Sequence, residues 1–488
     1  MKHAFFLTLL FGAACAQAAI SGISVKPTGA PAIKGRKDVP IATVTFAAAQ
    51  DAQAEKLRLD IRGTNPSDVV CFSLGQSECA RVENDAATFT VPVKKGQNTF
   101  SLYAELSDTA SVGRPLRIDG ERIRVASVVT RPAQEIVDRR LPNGKLRASK
   151  NFRIPGIVMT PKGTLVAVFD IRYKHAGDLP ADITVGVSTS KDGGDTWSPI
   201  RTAIDYAGLP GGNGIGDPAI LVDPSNNRVW VIALRAPKSG HPIFKSKTGT
   251  VDPAQCGQLF VAYSDDEGET WSEPRNITAE AKRLNDPDTA DWGCIFQGPG
   301  AGIALKDGTL VFPAQIWGND GRAPHHGALI YSTDHGKTWT SSKASPFGGS
   351  ESTVVQLADG SLLLNTREGG GPKTRVTART TDLGQTWQKV ETSPLRQPGN
   401  LCQAAMLRVG DTLVFSNPNS GKRDTMTLRK STDNGKTWSK GIVYDPRACA
   451  GYSTLCPMRQ RGQDYVGVLY EGQSDYHYFQ RIPLGEIQ

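Results

Sequence analysis

The stretch SKDGGDTW at residues 190–197 decides the fold, because the chain repeats its pattern four more times. The repeats are SDDEGETW at 264–271, STDHGKTW at 332–339, TTDLGQTW at 380–387 and STDNGKTW at 431–438. In each, a hydroxyl residue comes first, Asp third, Gly fifth and Thr-Trp last. This predicts a tight hairpin turn in which Asp accepts backbone N–H bonds, Gly supplies a positive φ and Trp packs under the strand. We therefore expect these aspartates to be structural.

Apolar runs precede most of the repeats, for example TVGVSTS, QLFVAYS and GALIYS. Such runs are typical of short buried strands. A unit of a few short strands that is repeated radially buries its faces against its neighbours, as in a β-propeller. The sequence therefore predicts an all-β fold with a propeller over residues 141–488.

The region before the repeats, residues 19–140, holds the β-like runs IATVTFAA, KLRLDIRG, AATFTVPV and NTFSLYAELS, separated by Gly, Pro and Asn. Strands at this spacing predict a compact β-sandwich. Because the region has few convergent polar residues, we interpret it as an accessory domain. Carbohydrate binding and packing against the next domain remain open as its role.

A hairpin is predicted within NFRIPGIVMTPKGTLVAVFDIRYKHAGD at 151–178, where Pro161-Lys162-Gly163 joins two apolar strands. Antiparallel pairing would bring Arg153 and Arg172 to the same edge. Two fixed guanidinium groups suit an anionic ligand, because each presents a planar fork to a carboxylate or phosphate. The alternative is a pair of surface arginines in ion pairs with their neighbours.

The N-terminal residues indicate the compartment. MKHAFFLTLLFGAACAQA at 1–18 has a Lys-bearing start, an apolar run and a small-x-small exit, as expected of a cleaved secretory signal peptide. Lipoprotein anchoring through Cys15 is an alternative, but no branched apolar residue stands three positions upstream. Because no later stretch approaches the ~20 apolar residues of a spanning helix, we expect a secreted or periplasmic protein without a membrane span.

Charge and cysteine usage exclude several classes of function. The chain of 488 residues has a formal charge of +8, but no Lys/Arg-rich run or nucleic-acid motif accompanies it, so nucleic-acid binding is not expected. Seven cysteines remain after cleavage, and Cys71 with Cys79 and Cys449 with Cys456 are close enough in sequence to be suspected disulfides. No Cys-x-x-Cys motif or His cluster indicates a metal, and we expect no cofactor.

The sequence Phe-Arg-Ile-Pro at 152–155, followed by five Asp-boxes, resembles the bacterial sialidases (neuraminidases). The catalytic domain of that family is a six-bladed β-propeller. The similarity covers about residue 141 to the C-terminus, and the region before it resembles, more weakly, the β-rich N-terminal domain of some secreted bacterial sialidases. One departure is Thr380 in place of Ser in the fourth box, which keeps a hydroxyl group.

The resemblance implies a set of arginines that bind the substrate carboxylate. Arg153, in the Phe-Arg-Ile-Pro motif, would be the first of three, followed by Arg367 in LLLNTREGG and Arg423 in SNPNSGKRDTMTLRKS. Arg429 is the alternative for the third position, although it lies on the strand that enters the last box. Arg172, in DIRY, resembles an additional arginine that reaches the ring substituents of the substrate.

The resemblance also implies the catalytic groups. Asp178 would be the acid/base, with Asp170 and Asp182 as nearby alternatives. Glu351 in ESTVVQL and Tyr452 in GYSTLCP would be the nucleophilic pair. The remaining implied residues are Glu471 in VLYEGQ, which would hold Arg153, and Asp217 in GIGDPAILVD, which is a weaker substrate contact.

The residue types fit hydrolysis of a sialic acid, whose carboxylate sits on the anomeric carbon. An Asp or Glu nucleophile would approach that carbon against like charge, whereas a neutral tyrosine avoids the repulsion once a base takes its proton. We therefore expect a retaining exo-α-sialidase that acts on sialylated glycoproteins, glycolipids and oligosaccharides through a sialyl-tyrosine intermediate.

Other interpretations remain open. Transfer of the sialyl group to another sugar, or to the substrate's own hydroxyl, would use the same site. A non-catalytic Asp-box propeller that binds glycans would keep the boxes but should lack the joint set of arginines, tyrosine and glutamate. Taken singly, Tyr452 could be a core tyrosine, Glu351 a solvated edge residue, Asp178 a loop brace and Glu471 an ordinary ion-pair partner.

Overall fold

The computed structural model describes residues 19–206, 213–289, 291–318, 325–367, 374–391, 395 and 401–488. The predicted signal peptide and Cys15 therefore lie outside the described residues. Strands dominate the fold, as expected. The helical elements in the described part are α1 (Thr278–Lys282) and the short 3₁₀ turns Pro66–Asp68, Ile243–Lys245, Pro287–Thr289, Gln473–Asp475 and Leu484–Glu486.

The N-terminal region forms two antiparallel sheets around a shared core. Its strands are β1 (Ile20–Pro27), β2 (Ala32–Ile33), β3 (Pro40–Ala48), β4 (Ala52–Asp60), β5 (Val69–Leu74), β6 (Val82–Glu83), β7 (Ala86–Val93), β8 (Gly96–Leu106), β9 (Leu116–Ile118) and β10 (Glu121–Ile123). One sheet has the order β1-β3-β8-β5 and the other β4-β7-β6, while β9 and β10 pair in a separate two-stranded sheet. Alternating side chains such as Val44, Phe46, Leu57 and Phe89 fill the space between them.

The remaining strands follow in chain order. They are β11 (Val125–Thr130), β12 (Glu135–Arg140), β13 (Leu146–Ala148), β14 (Asn151–Met159), β15 (Leu165–Arg172), β16 (Ile183–Ser190), β17 (Arg201–Ile204), β18 (Ile215–Asp223), β19 (Arg228–Arg235), β20 (Gln258–Ser264), β21 (Arg275–Asn276), β22 (Cys294–Gln297), β23 (Gly300–Ala301), β24 (Ile303–Ala304), β25 (Leu310–Trp317), β26 (His326–Ser332), β27 (Thr340–Ser341), β28 (Ser352–Gln356), β29 (Leu362–Thr366), β30 (Val376–Thr380), β31 (Gln388–Lys389), β32 (Ala405–Val409), β33 (Thr412–Pro418), β34 (Met426–Ser431), β35 (Ile442–Asp445), β36 (Ser453–Gln460), β37 (Gln463–Glu471) and β38 (His477–Pro483).

Apart from β12 and β13, which pair with each other, these strands build six successive sheets in the described chain. The first five have the orders β14-β15-β16-β17, β18-β19-β20-β21, β22-β25-β26-β27, β28-β29-β30-β31 and β32-β33-β34-β35, and the sixth is β36-β37-β38-β11. A separate apolar cluster fills each gap from one sheet to the next, and another lies between the sixth sheet and the first. The six sheets therefore contact one another in cyclic order.

The sixth sheet takes its outer strand from the N-terminal part of the chain. Strand β11 pairs antiparallel with β38, where Ser127 lies opposite Phe479, and β2 extends the same sheet beyond β11. Residues 125–130 thus belong to a sheet with the C-terminal strands, although they precede the predicted domain boundary near residue 140. The boundary itself stays a prediction about folding units.

The predicted hairpin at 151–178 is confirmed as β14 and β15. Gly163 in its turn has φ 92°, a conformation that costs glycine no steric strain. In the register of the pair, Arg153 lies opposite Asp170 and Arg172 opposite Asn151. Both arginines therefore lie at the same end of the hairpin, as expected.

Each Asp-box connects the third and fourth strands of one of the first five sheets. In the first box, Ser190 Oγ donates to Asp192 Oδ1 (2.8 Å), and Asp192 accepts from the amide (3.0 Å) and hydroxyl (2.5 Å) of Thr196. The glycine at the fifth position of each box has a positive φ, 93° at Gly194. Trp197 packs against Phe479 at 5.5 Å between ring centroids. The predicted roles of Asp, Gly and Trp are confirmed here.

Of the two suspected disulfides, one is present. Cys71 and Cys79 are bonded, whereas the prediction for Cys449 and Cys456 is wrong, because both thiols are free. Cys456 lies on β36 in the core between the sixth and first sheets, and Cys449 packs between the fifth and sixth. In the described part of the chain, no helix is long and apolar enough to span a membrane.

Candidate active site

The candidate residues meet at the end of the sheets opposite the Asp-boxes. They lie near the start of a first strand, near the end of a second strand, or in the loop between a second and a third strand. Near the first strands are Arg153, Asp217, Glu351 and Tyr452; at or just after the second strands are Arg172, Arg367 and Glu471; in the loops are Asp178 and Arg423. Antiparallel order alone places all these positions at one end.

Tyr452 and Glu351 form the centre of this group. The Tyr452 hydroxyl donates to Glu351 Oε1, and Arg367 Nη1 donates to Glu351 Oε2 at 2.7 Å and to the Tyr452 oxygen at 3.1 Å. Tyr452 is 6% exposed. Burial and the negative charge of Glu351 raise the pKa of Tyr452 well above its usual value, although Arg367 opposes the shift. The phenol is therefore neutral and hydrogen-bonded to a carboxylate that can take its proton.

The guanidinium groups of three arginines surround the Tyr452 ring. The guanidinium carbon of Arg153 lies 5.3 Å from the ring centroid, that of Arg423 lies 5.7 Å from it, and Arg367 contacts the hydroxyl. These arginines come from the first, fourth and fifth sheets. The structure thus brings the three predicted carboxylate-binding residues together, 270 positions apart in the chain at the extreme (423 minus 153).

Arg423 keeps its charge free of a carboxylate partner among the described residues. Its guanidinium donates to Leu401 O (2.6 and 3.1 Å) and Ala450 O (2.9 Å), which are neutral acceptors. The alternative, Arg429, lies on β34 and donates to Asn417 Oδ1 at 3.3 Å, away from Tyr452. The placement favours Arg423 for the predicted role.

Glu471 connects the first sheet to the sixth from beneath the site. Its Oε1 accepts from Arg153 Nε (2.6 Å) and the Ile154 amide (2.9 Å), and its Oε2 accepts from the Tyr452 amide (2.9 Å). Burial works against ionisation of this carboxyl, but Arg153 holds the pKa of Glu471 below its usual value. One buried carboxylate therefore sets the positions of a binding arginine and of the tyrosine backbone.

Asp178 lies on the exposed side of the site. Its side chain is 79% exposed, and Arg172 Nη1 contacts its Oδ1 at 2.8 Å. The two alternatives for its role are occupied elsewhere. Asp182 binds Arg147 and accepts from the Tyr206 hydroxyl at the base of the loop, and Asp170 is buried against Arg172.

Asp217 lies beside Asp178 on the second sheet, with φ 53°. Its amide donates to Asp170 Oδ1 at 2.8 Å, and Gln297 Nε2 donates to its carbonyl. Burial and the negative charges of Asp170 and Asp178 raise the pKa of Asp217 well above the usual range. Burial and these charges therefore favour the protonated form of the Asp217 carboxyl group.

Two buried residues next to this group, Arg375 and His477, are not predicted by any sequence pattern. Arg375 donates to Asn365 Oδ1 (2.5 Å) and Cys402 O (2.8 Å), and burial lowers its pKa to about 9. His477 lies opposite Glu471 on β38, and burial lowers its pKa to about 4. Arg375 directly precedes β30 and His477 begins β38, and neither stands in a distinctive motif, so only the packing of the sheets shows that they border the site.

The described residues offer one compact group of potential metal ligands, formed by Cys71, Cys79 and Glu105. The two cysteines are joined in a disulfide, which removes two thiolate ligands. The group also lies in the N-terminal region, away from Tyr452.

Comparisons with known proteins place these features in context. A family model described as a BNR repeat-like domain matches residues 181–478. A sialidase of Bacteroides fragilis is 40% identical over 362 residues, which cover 70% of this chain and 63% of that protein. A sialidase of Paraclostridium sordellii is 32% identical over 294 residues, covering 57% of this chain and 70% of that protein.

A solved structure is also similar along almost the full length. The Hadza microbial sialidase Hz136 superposes with a TM-score of 0.78 and 28% identity, and the match covers 95% of this chain and 100% of that one. The N-terminal region and the six sheets are therefore both part of the similarity. The chain spans less than two thirds of the B. fragilis protein.

Proposed function

We propose that this chain, which belongs to the sialidase family, is a retaining exo-α-sialidase that releases terminal sialic acids from glycoproteins, glycolipids and oligosaccharides. The observation that carries the proposal is the Tyr452–Glu351 pair surrounded by three guanidinium groups. A core tyrosine needs one hydrogen-bond partner and no surrounding cations. This arrangement instead supplies a nucleophile, its base and a site for an anion.

The three arginines suit a substrate whose carboxylate is attached to the reacting carbon. Each charged hydrogen bond contributes about 1.5 to 3 kcal/mol. Arg153 and Arg367 already have carboxylate partners, Glu471 and Glu351, that fix their planes. A bound sialic acid would accept hydrogen bonds from the remaining N–H groups of these arginines. The arginines are therefore ordered before the substrate binds.

In the first step, Tyr452 Oη attacks the anomeric carbon and its proton passes to Glu351. The bond from that carbon to the leaving oxygen breaks, and Asp178 protonates that oxygen. In the second step, Asp178 takes a proton from water, which attacks the same carbon. The bond to Tyr452 breaks, and the phenolate recovers its proton from Glu351. Two displacements retain the configuration.

The exposure of Asp178 is compatible with water as the acceptor in the second step. Its side chain is 79% exposed, so water reaches the base of the second step directly. Hydrolysis is therefore the reaction that we propose, and transfer would appear as a second product in the same assay.

We propose that the six sheets are the blades of a six-bladed β-propeller. Their cyclic contacts and the six apolar clusters between them support this. Five Asp-boxes accompany six sheets because the sixth sheet takes its outer strand, β11, from before the first sheet instead of from a box turn.

We also propose that the protein is exported and that residues 1–18 are removed. The charged, apolar and small-residue segments of that stretch support this. N-terminal sequencing of the mature protein would yield Ala19 if the proposal holds, and a lipidated Cys15 at the N-terminus would contradict it.

The proposed function is tested by product analysis and by trapping the intermediate. Proton NMR during hydrolysis of a sialyl-lactose should show the α anomer of sialic acid first, with the β anomer appearing by mutarotation. A 2,3-difluoro-sialic acid should label the protein, since its fluoride leaves readily while the C3 fluorine slows release. Mass spectrometry should locate the adduct on Tyr452. An inert protein, first-formed β anomer or an adduct elsewhere would contradict the proposal.

A further inference from the structure

We infer that Asp170 is a positioning residue that fixes the relative positions of Arg172, Asp178 and Asp217 for protonation of the leaving group. This inference rests on the proposed function. Asp170 lies on β15 with its side chain 1% exposed. Both of its oxygens accept from N–H groups of the protein, so it acts through its neighbours.

Both oxygens of Asp170 are engaged with candidate site residues. Oδ2 accepts from Arg172 Nε at 3.1 Å and from Arg172 Nη2 at 2.8 Å, while Oδ1 accepts from the Asp217 amide at 2.8 Å. One carboxylate thus joins the second strand of the first sheet to the first strand of the second sheet. A small lateral shift of either sheet would break this contact.

Arg172 connects the buried Asp170 to the exposed Asp178. With Nε and Nη2 bound to Asp170, its Nη1 contacts Asp178 Oδ1 at 2.8 Å and donates to Ala176 O at 2.5 Å. The guanidinium is itself 1% exposed and cannot rotate without losing its partner. Asp178, on a loop, is therefore oriented from a rigid strand.

Asp217 depends on the same carboxylate for its backbone conformation. A non-glycine residue at φ 53° costs about 1 to 2 kcal/mol. The Asp170 contact at its amide, together with the bond from Gln297 to its carbonyl, offsets this cost. Loss of Asp170 would therefore disturb the group beside Asp178 as well as Asp178 itself.

An amide cannot replace the carboxylate here. All three contacts to Asp170 come from N–H donors, and an asparagine would turn one of its two side-chain atoms into a further donor. That atom would face Arg172 or the Asp217 amide without an acceptor. Because misplacing a catalytic group by about 1 Å can cost 10²-fold in rate, the consequence should be visible in the acid step.

The test compares two substrates that differ in their need for an acid. A sialyl-lactose has a poor leaving group and needs protonation by Asp178, whereas a 4-nitrophenyl sialoside leaves as a stable anion. In Asp170→Asn, kcat/KM for sialyl-lactose should fall by about 100-fold and that for the aryl sialoside by about tenfold or less. Asp178→Ala should show the same selectivity for the leaving group.

Asp223→Asn is the matched control. Asp223 is also 1% exposed, ends a strand of the second sheet and binds Ser225 (2.6 and 3.0 Å) and His335 (2.7 Å), but at the Asp-box end. The Asp223→Asn variant should be less stable than the wild-type protein, but its kcat/KM per folded molecule should be unchanged for both substrates. If Asp170→Asn does not fold, Asp170→Glu and Arg172→Lys provide the same comparison of leaving groups.

Equal losses on both substrates, or unchanged activity in Asp170→Asn, would overturn the inference, since a merely structural role lowers both rates alike. Such a result with an active wild-type protein leaves the proposed function intact. A wild-type protein that is inert on both substrates would instead contradict the proposed function.

Discussion

The two ends of the sheets both carry hydrogen-bonded carboxylates, but they use them over very different distances along the chain. In the boxes, Asp192 binds Thr196, four residues away. At the opposite end, Glu471 binds Arg153 across 318 residues, and Tyr452 binds Glu351 across 101. Local contacts of the first kind stabilise one turn. The distant contacts exist only when all the sheets are in place, so the site depends on the whole fold.

The pKa values of the carboxyl groups also differ between the two ends of the sheets. Against a desolvation penalty, hydrogen bonds from threonine lower the pKa of Asp334, Asp382 and Asp433 in the boxes to about 2. At the site, burial and neighbouring carboxylates raise the pKa of Asp217. The lowered pKa values favour the ionised form of the box aspartates, whereas the raised pKa favours the protonated form of Asp217. Substitutions at the two ends should therefore affect different measurements.

The largest effect is expected for Tyr452→Phe. Removing the oxygen that we propose as the nucleophile should lower kcat/KM by about 10³-fold, with little change in Tm, because the hydroxyl bonds only to groups inside the site. Tyr444→Phe is a control, since the Tyr444 hydroxyl is buried and bonded to Ser416 at 2.9 Å outside the site. Full activity of Tyr452→Phe would remove the tyrosine from the mechanism.

A smaller loss is expected for Arg423→Met. Among the described residues its guanidinium donates hydrogen bonds only to backbone carbonyls, so stability should change little. Loss of one charged contact to the substrate carboxylate should raise KM about 10- to 100-fold. Arg429→Met should leave KM unchanged, and the reverse outcome would assign the third arginine position to Arg429.

The reverse pattern is expected for Asp433→Asn in the fifth box. Asp433 accepts from the amide and hydroxyl of Thr437 at 2.9 and 2.5 Å. Its replacement should lower the free energy of unfolding by about 1 to 2 kcal/mol, measured in urea, and leave kcat/KM per folded molecule unchanged. A catalytic defect without a stability change would contradict the structural role of the boxes.

Acid should weaken the box end in a defined window. Because the folded pKa values of Asp334, Asp382 and Asp433 lie near 2, below the usual 3.8, their contribution is complete above pH 4 and is lost as the pH falls towards 2. The stability difference between the wild-type protein and Asp433→Asn should therefore shrink from pH 5 to pH 3. A constant difference in urea midpoints would show that the shift is absent.

The smallest effect is expected for Thr380→Ser in the fourth box. Thr380 Oγ1 donates to Asp382 at 2.7 Å and accepts from the Gly384 amide at 2.8 Å, as Ser332 does in the third box. The free energy of unfolding should change by less than about 0.5 kcal/mol, whereas Thr380→Ala should cost about 1 kcal/mol. Equal costs would mean that the hydroxyl contributes nothing.

The same contrast explains what the sequence could predict. The turn chemistry of the boxes and the hairpin at 151–178 depend on neighbouring residues, and both were predicted correctly. The disulfide predicted from the nearness of Cys449 and Cys456 in sequence is absent. Cys456 lies on a strand in the core between the sixth and first sheets, and Cys449 packs between the fifth and sixth.

The candidate site residues needed the family resemblance, since no local pattern distinguishes Tyr452 from a core tyrosine. Asp170 and Arg375 show where this limit lies. Asp170 sits in an apolar strand, and the sequence indicates it only as an alternative acid, because its contact between two sheets depends on packing. The position of Arg375 beside the site depends on the packing of the fourth sheet against the fifth, where it donates to Asn365 and Cys402.

The pairing of β11 with β38 has a consequence for biogenesis. The sheet that carries Tyr452 and Glu471 is complete only when residues 125–130 meet the last strand of the chain. Because these two strands are far apart in sequence, their pairing cannot form until residues 477–483 have been synthesised. A nascent chain that lacks residues 477–483 could thus form its box turns but not the complete sheet of Tyr452, so the activity proposed for this site would appear only after those residues have been made.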